Sequence, residues 1–330
     1  MAVDQSIRPA PAPATPPVRA SAGRLFDEAY RRLTEKPLSL YATAFLRIGN
    51  GFLFLVTLLR EFPHRHLIWG PEAPWTAEMA RRMFDQLGWF SVFTLSDDPA
   101  YFEVCYAATI LVGVLFMLGW RTRVTSVLFA VAAISVYSRN VLMSNGGDNL
   151  LVLIAVYLMF TACGRRWSLD ARRAARHAPA GGFREFTVTV LHNCALLVIM
   201  AQMCILYGAA GLFKVQGETW GDGTALHYVL EQDLFRPWPA VSDFLDGQHA
   251  LLMIACYLTV LVQVAFPFSV FSKLKYVVLP LLVAMHLGIA VLMALPVFSA
   301  VMVLNDAVFL PDRFYRWAAR TVRRRPAPSA

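Results

Sequence analysis

Charge is what this chain has least of. Only 16% of its 330 residues are Asp, Glu, Lys or Arg, where soluble domains carry about a quarter. With 57% hydrophobic residues and a mean hydropathy of +0.51, an ordinary water-soluble domain is excluded. Cysteine is scarce in pattern as well as number. Cys105, Cys163, Cys194, Cys204 and Cys256 form no C-x-x-C pair and cluster with no histidine at ligand spacing. That leaves no redox motif and no expected metal site, and small apolar filler is their expected role. No segment alternates with period two, which excludes barrel strands. The N-terminal tail lacks the apolar core of a signal peptide. Its stretch "RPAPAPATPPVRASAG" (8–23) is rich in Pro and Ala and has no aromatic residue. It cannot bury a core, so residues 1–36 are expected to be a disordered tail. No internal repeat is visible.

What is present is a series of charge-poor runs at 37–59, 104–120, 124–138, 149–164, 186–213, 250–272, 276–295 and 297–311, the last two divided at Pro296. A bilayer core takes about 20 apolar helical residues, and only helices or closed barrels satisfy the backbone there. The expected fold is therefore all-α: a polytopic integral membrane bundle of about eight transmembrane helices over residues 37–312. A basic tail (313–330) follows. Basic residues test the count, because short cytoplasmic loops collect them. Of the 30 Lys and Arg, 22 fall in the two tails and in the loops after the second, fourth and sixth segments. Seven fall on the other side and Arg47 lies within the first helix. This alternation predicts cytoplasmic termini; the expected location is the bacterial plasma membrane. The net charge of +8 then belongs to topology and attraction to anionic membrane lipids, not to nucleic acid.

Two long loops face the other side. In residues 60–103, "TAEMARRMFDQLGWF" repeats Met79, Met83, Leu87 and Phe90 at helical spacing, a face suited to the outer interface, with Trp69, Trp75 and Trp89 at headgroup level. Residues 214–249 form the second loop. With 14 acidic residues this face is net negative, which fits a cationic or peptidic partner and is equally what a positive-inside bias leaves behind.

Polar residues inside hydrocarbon are costly and usually paired or functional. Arg47 and Asp306 both lie a few turns from the cytoplasmic face, so an ion pair between them is geometrically open. His192 and His286, in the fifth and seventh helices, are either hydrogen-bonded core residues or direct participants in chemistry. Asn145 and Asp148, in "SNGGDN", begin the fourth helix, where Asp148 is placed to cap the first turn.

Lys214 ends the fifth apolar helix within "YGAAGLFKVQGETWGDGTALHY" (207–228). Terminal lysines commonly snorkel to headgroups. Here the positive-inside bias and the small residues on both sides speak for a close-packed recess instead. A lysine at the mouth of an apolar pocket can serve as a base toward a weakly acidic, lipid-soluble substrate, because desolvation disfavours the charged form. Trp220, Asp222 and His227 would line the mouth of such a pocket.

Three segments, "FLRIGNGFLFLVTLLREFPHRHLIWGPEAPW" (45–75), "SRNVLMSNGGDNLLVLIAVYLMF" (138–160) and "LYGAAGLFKVQGETWGDGTALHYVLEQDLFRPWP" (206–239), resemble the HTTM (horizontally transferred transmembrane) family. That family includes the membrane part of vitamin K-dependent gamma-glutamyl carboxylase and membrane proteins that mature a sporulation-delaying toxin. The resemblance spans roughly 38–312, and its most specific part is Y-x-x-A-G-x-x-K followed by W-x-x-G. In the carboxylase the lysine of that block is the base toward vitamin K hydroquinone; by motif, that lysine is Lys214. The resemblance implies a reduced quinone of the vitamin K or menaquinone type as cofactor. It implies chemistry on the non-cytoplasmic side, with Arg47, Asp148 and His286 as polar support. The carboxylase's Asn-Asn-His-Ser segment is not reproduced: its histidine falls on about Gly147. Two functions follow as expectations, a quinone-linked enzyme with Lys214 as base, or a non-catalytic accessory in maturing or exporting a secreted peptide.

Overall fold

A computed structural model describes residues 18–175 and 182–324, and among these every regular element is helical. In chain order the α-helices are α1 (Val18–Thr34), α2 (Leu40–Arg60), α3 (Arg65–Ile68), α4 (Ala77–Leu87), α5 (Pro99–Leu118), α6 (Thr122–Arg139), α7 (Gly146–Met159) and α8 (Leu169–Ala174). They continue with α9 (Phe183–Val215), α10 (Glu218–Gly221), α11 (Ala225–Glu231), α12 (Pro239–Asp246), α13 (His249–Ser269), α14 (Lys275–Leu292), α15 (Pro296–Asp306) and α16 (Asp312–Arg324). Five of them, α2, α5, α9, α13 and α14, are long and apolar enough to cross a membrane, and α7 and the α15 segment are shorter apolar helices. The eight apolar runs read from the sequence coincide with these seven and α6.

The long helices run back and forth between two ends. At the near end α2, α6, α9 and α14 begin; at the far end α5, α7, α13 and α15 begin. α2 lies centrally, touching α5, α7, α15 and α16, and more of it is buried than of any other span. Its Phe54 meets Phe129 edge-on at 5.1 Å, and Phe129 stacks on Phe116 at 4.1 Å. Much of the rest of the surface of α5, α9, α13 and α14 is apolar and uncovered, for instance Leu111, Leu197, Ile254 and Leu287. Such surface is tolerated only where lipid replaces water.

Two expectations about the ends are corrected. The tail 1–36 was expected to lack structure, yet 18–34 is helical; residues 1–17 lie outside the described part. Glu28 pairs with Arg31 and Arg32 one turn on, at 3.0 and 2.8 Å. The buried amide of Asn193 on α9 then donates to the carbonyls of Arg32, Leu33 and Lys36 at 2.9–3.3 Å. Carbonyls left over at a helix C-terminus need such a donor, so the docking amide, not apolar burial, explains why the segment folds. The far-end loop differs too. α4 buries Ala80 and Phe84 while Met79, Leu87 and Phe90 stay exposed, but Trp69 is 4% exposed and belongs to the core. Trp69 is drawn in because Arg139 and Asn140, at the end of α6, hold the carbonyls of Gly70, Trp75 and Ile68 at 3.0, 2.7 and 2.8 Å.

Candidate functional site

At the far end, the last turn of α2, the end of α6, the start of α7 and the α14–α15 turn enclose a pocket of about 140 Å³. Asn145 and Asp148 both line it, and they close a capping box on α7. Asn145 Oδ1 accepts from the Gly147 and Asp148 amides at 2.8 and 3.3 Å, and Asp148 Oδ2 accepts from the Asn145 amide at 2.9 Å. Two residues unmarked in the sequence reading complete the wall. The Tyr137 hydroxyl is buried within reach of Asp148 and Thr57, and Asn140 Oδ1 is buried without a hydrogen bond among the described residues. Buried polar atoms are normally paired, so the Asn140 oxygen marks a place for a polar partner. Arg60, bonded to Glu61 at 2.6 Å, supplies charge at the rim. Gly147 is not an open position: a Cβ there would stand 3.1 Å from the Phe298 backbone. The histidine the carboxylase carries at this point could enter only by shifting that backbone.

Lys214 does not line this pocket. Its level in the bundle follows from the antiparallel packing of α9 on α13. Gly208 faces Pro267, and Gly211 faces Gln263 and Val264. Continuing that register, Lys214 stands beside residue 260 or 261, roughly 17 Å below the first residue of α13 at 1.5 Å per residue. The space above is filled by α10 and α11, not by open loop. The Gly221 carbonyl accepts from Tyr257 at 2.9 Å, Gly223 abuts Met253, and the Leu226 amide points at Cys256 Sγ at 3.4 Å. The stretch expected as outer loop thus begins alongside α13, because small residues at 223 and 225 let backbone lie against a helix.

The amine turns inward. Lys214 Nζ lies 3.5 Å from the Ala210 carbonyl one turn back and 5.2 Å from the centre of the Trp220 ring. No ion-pair partner for it occurs among the described residues. A snorkelling lysine extends toward the headgroups; this one folds down its own helix and is covered by an indole. The ring face favours the ammonium by about 0.5–2 kcal/mol, opposing the cost of leaving water. Leu212, Phe213 and Val215 beside it are exposed, so the amine lies next to an apolar flank that a lipid-soluble molecule could approach.

The remaining candidates separate. Asp222 is exposed, and no ion pair or hydrogen bond ties it to Lys214. His227 joins α11 to α12: its Nδ1 meets Asp246 at 2.5 Å and its Nε2 faces Glu231 at 3.6 Å. Hydrogen bonding and charge from Asp246, with Glu231 adding, hold its proton more tightly than usual. Although these three side chains converge closely enough for a cation, two carboxylates on opposite nitrogens of one ring describe a bridged imidazolium better than a single coordination point.

Inside the bundle Arg47 and Asp306 do not meet. Arg47 is fully buried and donates to the carbonyls of Phe116 (2.8 Å), Met117, Cys163 (3.3 Å) and Trp167 (2.6 Å). Two of these are last-turn carbonyls of α5, which attract a cation. Gly119, at φ +69°, makes room for it: a Cβ there would stand 2.8 Å from Arg47 Nη1. Asp306 accepts instead from the Tyr207 hydroxyl at 2.9 Å, and that hydroxyl faces His286 Nε2 at 3.0 Å. Asp306 Oδ1 and His286 Nδ1 are left without partners. Tyr207 was missed as a site residue, though it opens the same block as Lys214 at i, i+7, two turns along one face. His192 is a core residue. Its Nδ1 accepts from the Ala162 amide at 3.0 Å, which puts the proton on Nε2 for the Leu38 carbonyl at 2.6 Å.

The geometry therefore offers a half-dry amine near lipid, a small polar pocket at the same end and a buried His–Tyr–Asp chain between α9, α14 and α15. Known proteins agree with the family implied by the sequence. The HTTM domain profile matches residues 36–314. The chain is similar to the uncharacterized protein YitO of Bacillus subtilis (strain 168), 26% identical over 60% of this chain and 62% of that one. It is also similar to the sporulation-delaying protein SdpB of the same organism, 23% identical over 41% of this chain and 40% of that one. It spans less than two thirds of the length of either relative, and no solved structure matches it. With the profile running from before α2 into α16, this chain belongs to the HTTM domain family.

Proposed function

We propose that the protein is an eight-span membrane enzyme with cytoplasmic termini. In this reading Lys214 is a base toward a weakly acidic lipid-soluble substrate, a reduced quinone, at the extracytoplasmic end. One observation carries it: the Lys214 amine is turned down its own helix beneath Trp220, away from the loop end, with no carboxylate partner among the described residues. A cation with a structural task in hydrocarbon is surrounded by acceptors, as Arg47 is. Lys214 keeps one long carbonyl contact and an indole face, and remains free to exchange a proton. The residues suit the group: an indole face at 5.2 Å, an amine, and an apolar flank of Leu212, Phe213 and Val215 open toward lipid. A bound reduced quinone would supply an acidic hydroxyl. Lys214 would take the proton, Trp220 would exclude water and steady the resulting ammonium, and the Tyr137–Asn140–Asp148 pocket would hold a polar partner at the same end.

Lys214→Arg tests this. Arginine keeps charge and reach but cannot deprotonate usefully. In anaerobic lipid nanodiscs supplied with reduced menaquinone, wild-type protein is expected to deprotonate the quinol, read from the absorbance of the quinolate. The variant should do so at least about a hundredfold more slowly, the lower end of what a positioned base contributes. Equal rates would end the proposal. A second reading, an accessory role in maturing a secreted peptide, draws on the similarity to the sporulation-delaying protein SdpB. It predicts peptide-dependent function that survives Lys214→Arg.

A further inference from the structure

At the near end a groove of about 1170 Å³ opens between the start of α6, the end of α7, α8 and the start of α9. Five arginines line it, Arg121, Arg123, Arg165, Arg166 and Arg184, against two carboxylates, Asp170 and Glu185. Both carboxylates are already engaged. Asp170 caps α6, accepting from the amides of Arg121 and Thr122 at 2.9 and 2.6 Å and from the Thr122 hydroxyl at 2.7 Å. Glu185 pairs with Arg165 at 2.8 Å. Among the described residues, the other four arginines form no ion pair. Arg121 and Arg166 lie over the rings of Trp120 and Tyr41 at 5.5 and 5.4 Å, which fixes the position of each guanidinium. Arg123 and Arg184 stand exposed on the two walls.

The other lining is apolar. Phe160, Leu191 and Val124, which are 51%, 46% and 57% exposed, continue from the groove onto the flanks of α7, α9 and α6. A groove whose walls are planar cations and whose floor runs onto lipid-facing helix matches one ligand chemistry. A phosphodiester oxygen pair suits the bidentate guanidinium, and the attached acyl chains suit the floor. Basic pockets between helix ends are a known way for membrane proteins to hold anionic headgroups. We propose that this groove is a binding site for an anionic phospholipid, held by its phosphate between Arg123 and Arg184 with its chains along Phe160, Leu191 and Val124. The site is at the opposite end of the bundle from Lys214 and does not depend on the reaction proposed there.

The test uses the full chain, purified in neutral detergent and delipidated, with native mass spectrometry and thermal unfolding as readouts. Phosphatidylglycerol is expected to be retained and to raise the melting temperature. Phosphatidylcholine with the same chains, and inorganic phosphate alone, are expected to do neither. Arg123→Gln with Arg184→Gln should weaken phosphatidylglycerol binding about thirtyfold, from two basic groups near a phosphate. Because neither side chain forms an ion pair among the described residues, lipid-free stability should be unchanged. Removing the same charge from α16, with Arg316→Gln and Arg320→Gln, should alter binding less than about threefold. Equal retention of phosphatidylcholine, equal stabilisation by inorganic phosphate, or wild-type binding by the groove variant would each overturn the proposal.

Discussion

Arg47 and Lys214 are two cations set into this bundle, beside the buried Arg139 at the far end, and they are treated in opposite ways. Arg47 is enclosed by four carbonyls from two segments of chain; Lys214 has one carbonyl at 3.5 Å and an indole. A buried charge whose donors are all used holds structure in place. One whose donors are mostly unused costs energy, and such cost persists where it serves a task. The contrast separates scaffold from chemistry more clearly than burial does, since Arg47 is the more buried of the two.

The sharpest way to break the contrast is to replace both residues by methionine. Arg47→Met orphans several buried carbonyls at about 1–3 kcal/mol each, so it should cost about 3–5 kcal/mol or prevent insertion. Lys214→Met removes a poorly solvated charge and should melt within a few degrees of wild type. Equal losses of thermal stability in detergent would mean that Lys214 is structural as well. A smaller effect is expected from Gly119→Ala. It forces an alanine to φ +69° and drives its Cβ into Ser168 Cβ. A cost of about 1–3 kcal/mol follows from strain and overpacking, with Arg47 displaced. Its mirror at the other end, Gly221→Ala, meets nothing within 4 Å and should be nearly silent.

The apolar runs were legible because a hydrocarbon layer imposes length and composition on a sequence directly. Partnerships were not. The partners of Arg47 are main-chain carbonyls, which carry no residue signature, so a carboxylate on another helix looked like the natural mate. Tyr137 and Asn140 acquire meaning only when α2, α6, α7 and the α14–α15 turn converge, and those segments are up to about 240 residues apart. The glycines of 217–223 read as loop, and only the packing against Met253 and Tyr257 reveals a buried edge. Lys214 and Trp220 were legible together because one turn of α9 and a four-residue helix, α10, keep them close. Tyr207 shared the same block and was passed over, since a tyrosine on an apolar face resembles core.

The smallest expected effect concerns pH. His227 holds its proton above its ordinary value of about 6.5 because Asp246, and then Glu231, stabilise the charged ring. A folded value raised in this way contributes stability that is complete below the unfolded value and fades as pH climbs through the folded one. The α11–α12 contact should therefore loosen on the alkaline side of 6.5, and His227→Gln should flatten the melting-temperature profile there. A profile identical to wild type would show that the contact contributes nothing measurable.

The cover over Lys214 has a consequence for how the chain is made. α10 and α11 rest on Met253, Cys256 and Tyr257, which are synthesised some thirty residues after them. A nascent chain halted before His249 would own the lysine and the tryptophan but not the helix against which their cover packs. The recess therefore cannot mature while this hairpin is being inserted; it is assembled backwards, by a later helix arriving beneath an earlier turn.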